Sequence, residues 1–378
     1  MTRSNQRPSR RLGSVAIRVA LISMAAVLGG CSAPAQSSPP TFDLAPATVS
    51  LPPGEVFGLA WLKDDWLVTN YRADPNAPFL NSRLWRFRPD GSDFAEIGVP
   101  EDRNCRLLGY FRPVALSDGR LGYVRECHVL GRDPGVELDA ALGSVDLRTG
   151  RTEQLAPVVG GVGDSGIARF DWDPTSGAGL ISIGSGICQG IEWIDQAGPR
   201  PIDLVISDGD HQFNLADEFR RPSTDCSATG TADGPAQSSK DGAVAFFASP
   251  AAVGTEGQAR LDAPSSLYIA DPGLKTASPR LNRIQPRSGL AWSPDGRWLA
   301  FAGKVKDLGE GGWLFDTTSS TLRRFSRLDV GEMAWSPDGL RIAAIESPLA
   351  AIESTTDLGV RRRIHVFDVR GLLADTQP

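Results

Sequence analysis

The densest group of possible ligand atoms in this 378-residue chain is Asp208-Gly209-Asp210-His211, followed by Asp217-Glu218. Hard cations need several oxygens converging on one point, which an Asp-x-Asp-x-Asp-Gly spacing would supply. That spacing is missing, so the stretch reads as a solvated acidic loop. Gly163-Asp164-Ser165-Gly166 has the residue order around a serine nucleophile. Ile167 follows where a further glycine belongs, and no matching His context precedes it, so a Gly/Ser-rich loop explains it better. A Gly-x-Ser-x-Gly elbow is also missing. The histidines are His128, His211 and His365. His365 sits in an apolar run and reads as structural, whereas a His128–His211 site stays open. There is no Cys-x-x-Cys, which disfavours zinc. These residues lead us to expect no catalytic group, no metal and no cofactor.

Cys105, Cys127, Cys188 and Cys226 form an even set, which in an exported chain suggests two disulfides. Three pairings are possible; Cys105–Cys127 and Cys188–Cys226 are favoured because each closes a modest loop. Export is expected from the N-terminus. Residues 1–18 carry five arginines and no acid, and a short apolar run over residues 19–28 leads into Leu28-Gly29-Gly30-Cys31. A basic stretch, an apolar run of about 7–15 residues and small residues at its end make a secretory signal. The run falls short of the ~20 apolar residues needed to span a bilayer. Leu-Gly-Gly-Cys resembles a bacterial lipobox, which implies lipidation of Cys31 as the first mature residue. Arg10-Arg11 leaves the twin-arginine route open. Residues 1–30 are thus the expected signal, and 31–45, rich in Ser, Ala and Pro, the expected tether. Without the signal the chain has 34 basic and 45 acidic residues, a net charge of −11. An acidic body disfavours nucleic acid as a partner.

What would position any site is a repeat. Gly289-Leu-Ala-Trp-Ser-Pro-Asp-Gly296 returns as Glu332-Met-Ala-Trp-Ser-Pro-Asp-Gly339, with Trp292 and Trp335 43 residues apart. A strand-rich unit of ~40–45 residues has the length of one four-stranded propeller blade. The repeated turn is Ser293-Pro294-Asp295-Gly296, then Ser336-Pro337-Asp338-Gly339. In it Pro presets the first central position, Asp suits the second, and Gly takes the left-handed conformation. Weaker copies place the turns near Asp64, Asp118, Ser176, Asp241, Asp295 and Asp338. A third-strand signature ending in Asp recurs at Asp146, Asp195, Asp271, Asp316 and Asp368. Trp61, Trp172, Trp292 and Trp335 hold equivalent places, which points to packing between sheets more than to stacking on a sugar.

These units predict an all-β fold: a six-bladed propeller of four-stranded antiparallel blades over residues 46–371, with a tail at 372–378. The sixth unit runs out after three strands, so an N-terminal strand at Thr48–Leu51 is expected to close the ring. The Trp-Ser-Pro-Asp-Gly pattern resembles the TolB-type, WD40-like repeats of exported bacterial propellers, clearly in the last two units and more weakly in the other four. The resemblance implies a lipoprotein on the extracytoplasmic side of the cell membrane. Long segments at 126–142, 207–234, 303–311 and 347–362, with all four mature cysteines, fall on one face of the expected ring. A non-catalytic, protein-binding or scaffold role, with an envelope protein or cell-wall polymer on that long-loop face, is the leading expectation. A glycan or small-ligand binder, and a lyase or hydrolase with an acidic/His site at the channel mouth, are the alternatives.

Overall fold

The computed structural model describes residues 42–74, 82–99, 105–129, 138–158, 165–185, 188–207, 212–214, 231–237, 240–249, 264–346 and 363–374. Strand β1 (Ala47–Val49) comes first. Unit 1 holds β2 (Glu55–Leu62), β3 (Trp66–Arg72), β4 (Arg83–Phe87) and β5 (Ala95–Glu96). Unit 2 holds β6 (Cys105–Ala115), β7 (Leu121–Val129), β8 (Leu138–Val145) and β9 (Thr152–Val158). Unit 3 holds β10 (Ser165–Asp173), β11 (Ala178–Ser185), β12 (Cys188–Asp195) and β13 (Gly198–Pro201). A small hairpin of β14 (Val205–Ser207) and β15 (Gln212–Asn214) follows. Unit 4 holds β16 (Thr231–Gln237), β17 (Val244–Ser249), β18 (Ser265–Ala270) and β19 (Ala277–Pro286). Unit 5 holds β20 (Ala291–Trp292), β21 (Trp298–Val305), β22 (Gly309–Asp316) and β23 (Thr321–Ser326). Unit 6 holds β24 (Val330–Trp335), β25 (Arg341–Glu346) and β26 (Ile364–Asp368), and helix α1 (Arg370–Ala374) follows it.

Units 1, 2 and 3 each form a four-stranded sheet, and β1-β26-β25-β24 forms a fourth, giving an all-β, propeller-type arrangement of antiparallel sheets. Among the described residues four separate four-stranded sheets are formed, not the expected six. The strands of units 4 and 5 share one eight-stranded sheet because β19 is long and its end pairs with β21, Ile284–Pro286 against Val305–Gly303. Gly303 permits that approach: a Cβ there would stand 2.4 Å from the Gln285 carbonyl oxygen. The expected loop at 303–311 is likewise mostly strand, because Lys306–Leu308 make a tight turn between β21 and β22. At the N-terminal side, β1 lies against β26 with Thr48 opposite His365. Residues 42–44, at the end of the expected tether, are also docked. The Phe42 and Leu44 amides donate to the Arg324 and Phe325 carbonyls at 3.0 and 3.1 Å. In the expected tail, Leu372 is buried.

The repeated turn explains its own sequence. The Ser293 hydroxyl accepts from the Trp298 amide, and the Asp295 carboxylate accepts from the Arg297 amide at 3.1 Å. The second copy repeats this with Ser336 to Arg341 and Asp338 to Leu340. Gly296 and Gly339 take φ of 68° and 70°, where a Cβ is disfavoured. The Asp residues ending third strands play the same local role. Asp146, Asp195, Asp316 and Asp368 each accept from a backbone amide two residues on.

Packing follows from strand alternation, which sends successive side chains to opposite faces. In β25, Ile342 and Ala344 join the core cluster shared with units 4 and 5, while Ala343 and Ile345 join the one shared with unit 1. In β3, Leu67 and Tyr71 face unit 6 and Val68 faces unit 2. The tryptophans reach across these seams. Trp335 Nε1 donates to the Ala291 carbonyl of unit 5, and Trp292 Nε1 to the Ala236 carbonyl of unit 4.

Asp316 is fully buried and accepts from Arg297 Nη2 at 2.7 Å. Burial pushes its carboxyl up, but hydrogen bonds from Arg297 and from the Thr318 and Ser319 amides outweigh burial and hold it below its ordinary value. A depressed carboxylate contributes stability above its unfolded pKa, and that stability is lost as pH falls through the folded value. Asp316→Asn should therefore lower stability by about 2–4 kcal/mol near neutrality. The gap from wild type should narrow in urea melts repeated below the usual carboxylate range.

Candidate functional site

The first strands lie side by side in the order β2, β6, β10, β16, β20 and β24, and β24 also lies beside β2. Five of them break register with their partners in the same region. The breaks fall at Phe57/Leu59, Phe111/Val114, Ile167/Arg169, Asp233/Ala236 and Val330/Met333. A bulge re-aims the side chain it carries. The position three residues before the repeat tryptophan, or its equivalent, falls at each break: Gly58, Arg112, Arg169, Pro235 and Glu332. These five line a cavity of about 820 Å³. In unit 5 the same position is Gly289.

Three of these positions are charged, and they meet. Arg169 donates to Glu332 Oε1 at 2.8 Å, and Arg112 reaches the same oxygen at 3.5 Å. One carboxylate from unit 6 thus holds two guanidiniums from units 2 and 3. Gly289 makes room for this: a Cβ there would lie 2.1 Å from Arg169 Nε. Arg112 has a φ of 51°, a left-handed conformation that costs a side-chain-bearing residue roughly 1–2 kcal/mol. Glu126 on β7 belongs to the same electrostatic neighbourhood. Burial raises its pKa and the Arg112 charge draws it partly back.

From this charged floor the cavity runs toward the short turns, with Lys63, Ser117, Thr175, Gly242, Pro294 and Pro337 around its mouth. It therefore opens on the face opposite the long loops. Much of the expected long-loop face, including Asp208–His211 and Asp217-Glu218, lies outside the described residues, as do Cys31 and Cys226. Cys188 lies in β12 and His128 in β7. Ser165 and Gly166 begin β10, while Gly163 and Asp164 fall outside. Cys105 and Cys127 are joined in a disulfide at the long-loop end of unit 2. His365 is buried, with Nδ1 3.2 Å from Thr48 Oγ1 and Nε2 3.1 Å from Glu346 Oε2, so it stitches β1 and β25 to β26. Among the described residues, no three His, Cys, Asp or Glu side chains form a group able to hold a metal.

Arg112, Arg169 and Glu332 do not emerge from motif reading. Superposing the repeats on their tryptophans exposes the signal, a single column reading Gly, Arg, Arg, Pro, Gly, Glu.

The fold defines a β-propeller-type protein. No family model matches the chain, and no curated protein matches it. Similar solved structures include the calcium-binding protein regucalcin from Agrobacterium tumefaciens, at 13% identity and TM-score 0.48 over 87% of this chain and 96% of that one. Oligogalacturonate lyase in complex with manganese shares 14% identity at TM-score 0.46, over 84% of this chain and 77% of that one. TolB from Acinetobacter baumannii shares 13% identity at TM-score 0.42, over 71% of this chain and 53% of that one. The set mixes an enzyme with proteins of other kinds, and at such identities it carries no residue role and no activity.

The fit between Gly289 and Arg169 can be measured. Gly289→Ala should cost about 1–3 kcal/mol in the wild-type background by overpacking. In an Arg169→Ala background, denaturant melts should show that cost falling below about 0.5 kcal/mol.

Proposed function

We propose that this chain is a non-catalytic, TolB-type propeller, closed into a ring by β1 and tethered outside the cytoplasm by a lipid on Cys31. It works by binding, and it takes its ligand or the end of a partner chain in the cavity on the short-turn face. The observation that carries this reading is the cavity itself: about 820 Å³, walled by residues from all six units. Binding sites for small molecules have volumes of about 300–1,000 Å³ and sit on rigid, largely pre-formed walls. Glu332, the acid at its base, is held by two arginines, which suits a fixed electrostatic role.

A second reading, the scaffold role toward an envelope protein or cell-wall polymer on the long-loop face, draws support from the Cys105–Cys127 disulfide. A covalent tie there would hold the adjoining segments in place for a partner.

A photocrosslinking side chain at Lys63 or Thr175, at the mouth, should capture the bound species in intact cells. The same group at Lys306, on the opposite face, should not. Capture from position 306 alone would move the binding face to the long loops. Ring closure makes its own demand. Val49 is 5% exposed, so Val49→Asp should lower stability by about 2–4 kcal/mol. Hydrogen exchange should then quicken in β26 ahead of β7. The anchor is checked by labelling with a tagged fatty acid, which should mark the wild type and spare Cys31→Ser.

A further inference from the structure

Arg112 and Arg169 together carry more N–H donors than the one Glu332 oxygen they share can accept. A guanidinium has five N–H donors in a fixed fork suited to planar oxyanions. Arg169 spends its reach on Glu332 at 2.8 Å and packs over Gly289. Arg112 makes one contact, at 3.5 Å, the outer limit for a hydrogen bond. Its side chain is 38% exposed, against 21% for that of Arg169.

Arg112 is also the residue held in the left-handed region, at the bulge that turns it into the cavity. Strain of this kind persists where the surroundings over-determine it, and it gathers at ligand clamps. Arg112 and Arg169 both face Glu332; Asp171 and Asp173 line the cavity further along β10, and Glu126, whose pKa burial raises, lies within reach of the Arg112 charge. The walls above add an apolar lining from Phe170, Trp172, Met333 and Trp335, with Trp292 less buried than the other tryptophans of the cavity, Trp61, Trp172 and Trp335.

We infer that Arg112, backed by Arg169, is an oxyanion-recognition site that takes the carboxylate of a small organic acid whose ring or apolar body lies against the aromatic wall. Glu332 is the internal occupant with which the incoming group competes. The inference rests on the cavity being the binding face and adds the chemistry of what enters it. A phosphate group would meet the same donors, so the test separates the two sources.

The test is calorimetric titration of the full-length protein at low salt with glucuronate, glucose and inorganic phosphate. Glucuronate and glucose share a ring and differ by the carboxylate. Glucuronate should bind at least tenfold more tightly than glucose. Arg112→Gln should weaken it at least tenfold, and Glu332→Gln should strengthen it severalfold by removing the competitor. Arg112→Gly provides a second variant, because glycine relieves the left-handed strain; it should melt no lower than wild type and still lose glucuronate. Phosphate binding lost with Arg112, without glucuronate binding, would keep the oxyanion site and assign it to phosphate. Equal binding of glucose and glucuronate, or affinity for glucuronate unmoved in both Arg112 variants, would overturn the inference while leaving the cavity as a binding face. No heat with either anion up to about 20 mM would overturn it as well. Crosslinks confined to position 306 would instead strike at the choice of face, whatever the titration reads.

Discussion

The second strand of each unit buries apolar side chains on both of its faces, and the rest of the structure depends on that. In β17, Val244, Phe246 and Ala248 join the core shared with unit 3, while Ala245 and Phe247 join the core shared with unit 5. In β11, Leu180 turns toward unit 4 and Ile181 toward unit 2. A sheet built around such a strand has no face it can leave to water. Each unit is therefore stable only between two neighbours, as expected of stacked repeats. The same demand explains the apolar runs at Val244–Ala248, Trp298–Ala302 and Ile342–Ile345, where a one-faced strand would alternate.

Mutual packing fixes the second strands, and it thereby frees one position of the first. In five units the ladder breaks register about three residues before the tryptophan or its equivalent, and the side chain there is not part of the apolar packing between sheets. That position holds glycine in units 1 and 5, proline in unit 4, arginine in units 2 and 3, and glutamate in unit 6. The scaffold repeats while its channel lining diverges. This is how one architecture hosts unrelated sites.

The parts legible in the sequence are those whose causes are local. Ser293-Pro294-Asp295-Gly296 closes its own turn with its own hydroxyl, carboxylate and left-handed glycine, so four residues suffice to read it. The need for an N-terminal partner to β26 could also be read, because the sixth unit has three strands of its own and an unpaired edge is unfavourable. Merging of units 4 and 5 could not. It turns on how far β19 extends and on Gly303 meeting the Gln285 carbonyl, a contact between two backbones that no periodicity records. The site was hidden for a related reason. Arg112 and Glu332 stand 220 residues apart, and only the equivalence of their places in the repeat brings them to one level. Attention to His and acidic clusters pointed instead to Asp208–His211 and Asp217-Glu218, which lie outside the described residues.

The asymmetry of the two arginine contacts gives the channel a division of labour. Arg169 and Glu332, at 2.8 Å and both under a quarter exposed, link unit 3 to unit 6 across the bore. Arg112, more exposed and at 3.5 Å, adds little to that link because a long contact in a wet, screened setting contributes weakly. A group that draws Arg112 upward leaves the Arg169–Glu332 tie in place. Cohesion between units 3 and 6 thus rests chiefly on one of the two arginines in the cluster, while the other stays more exposed to the cavity.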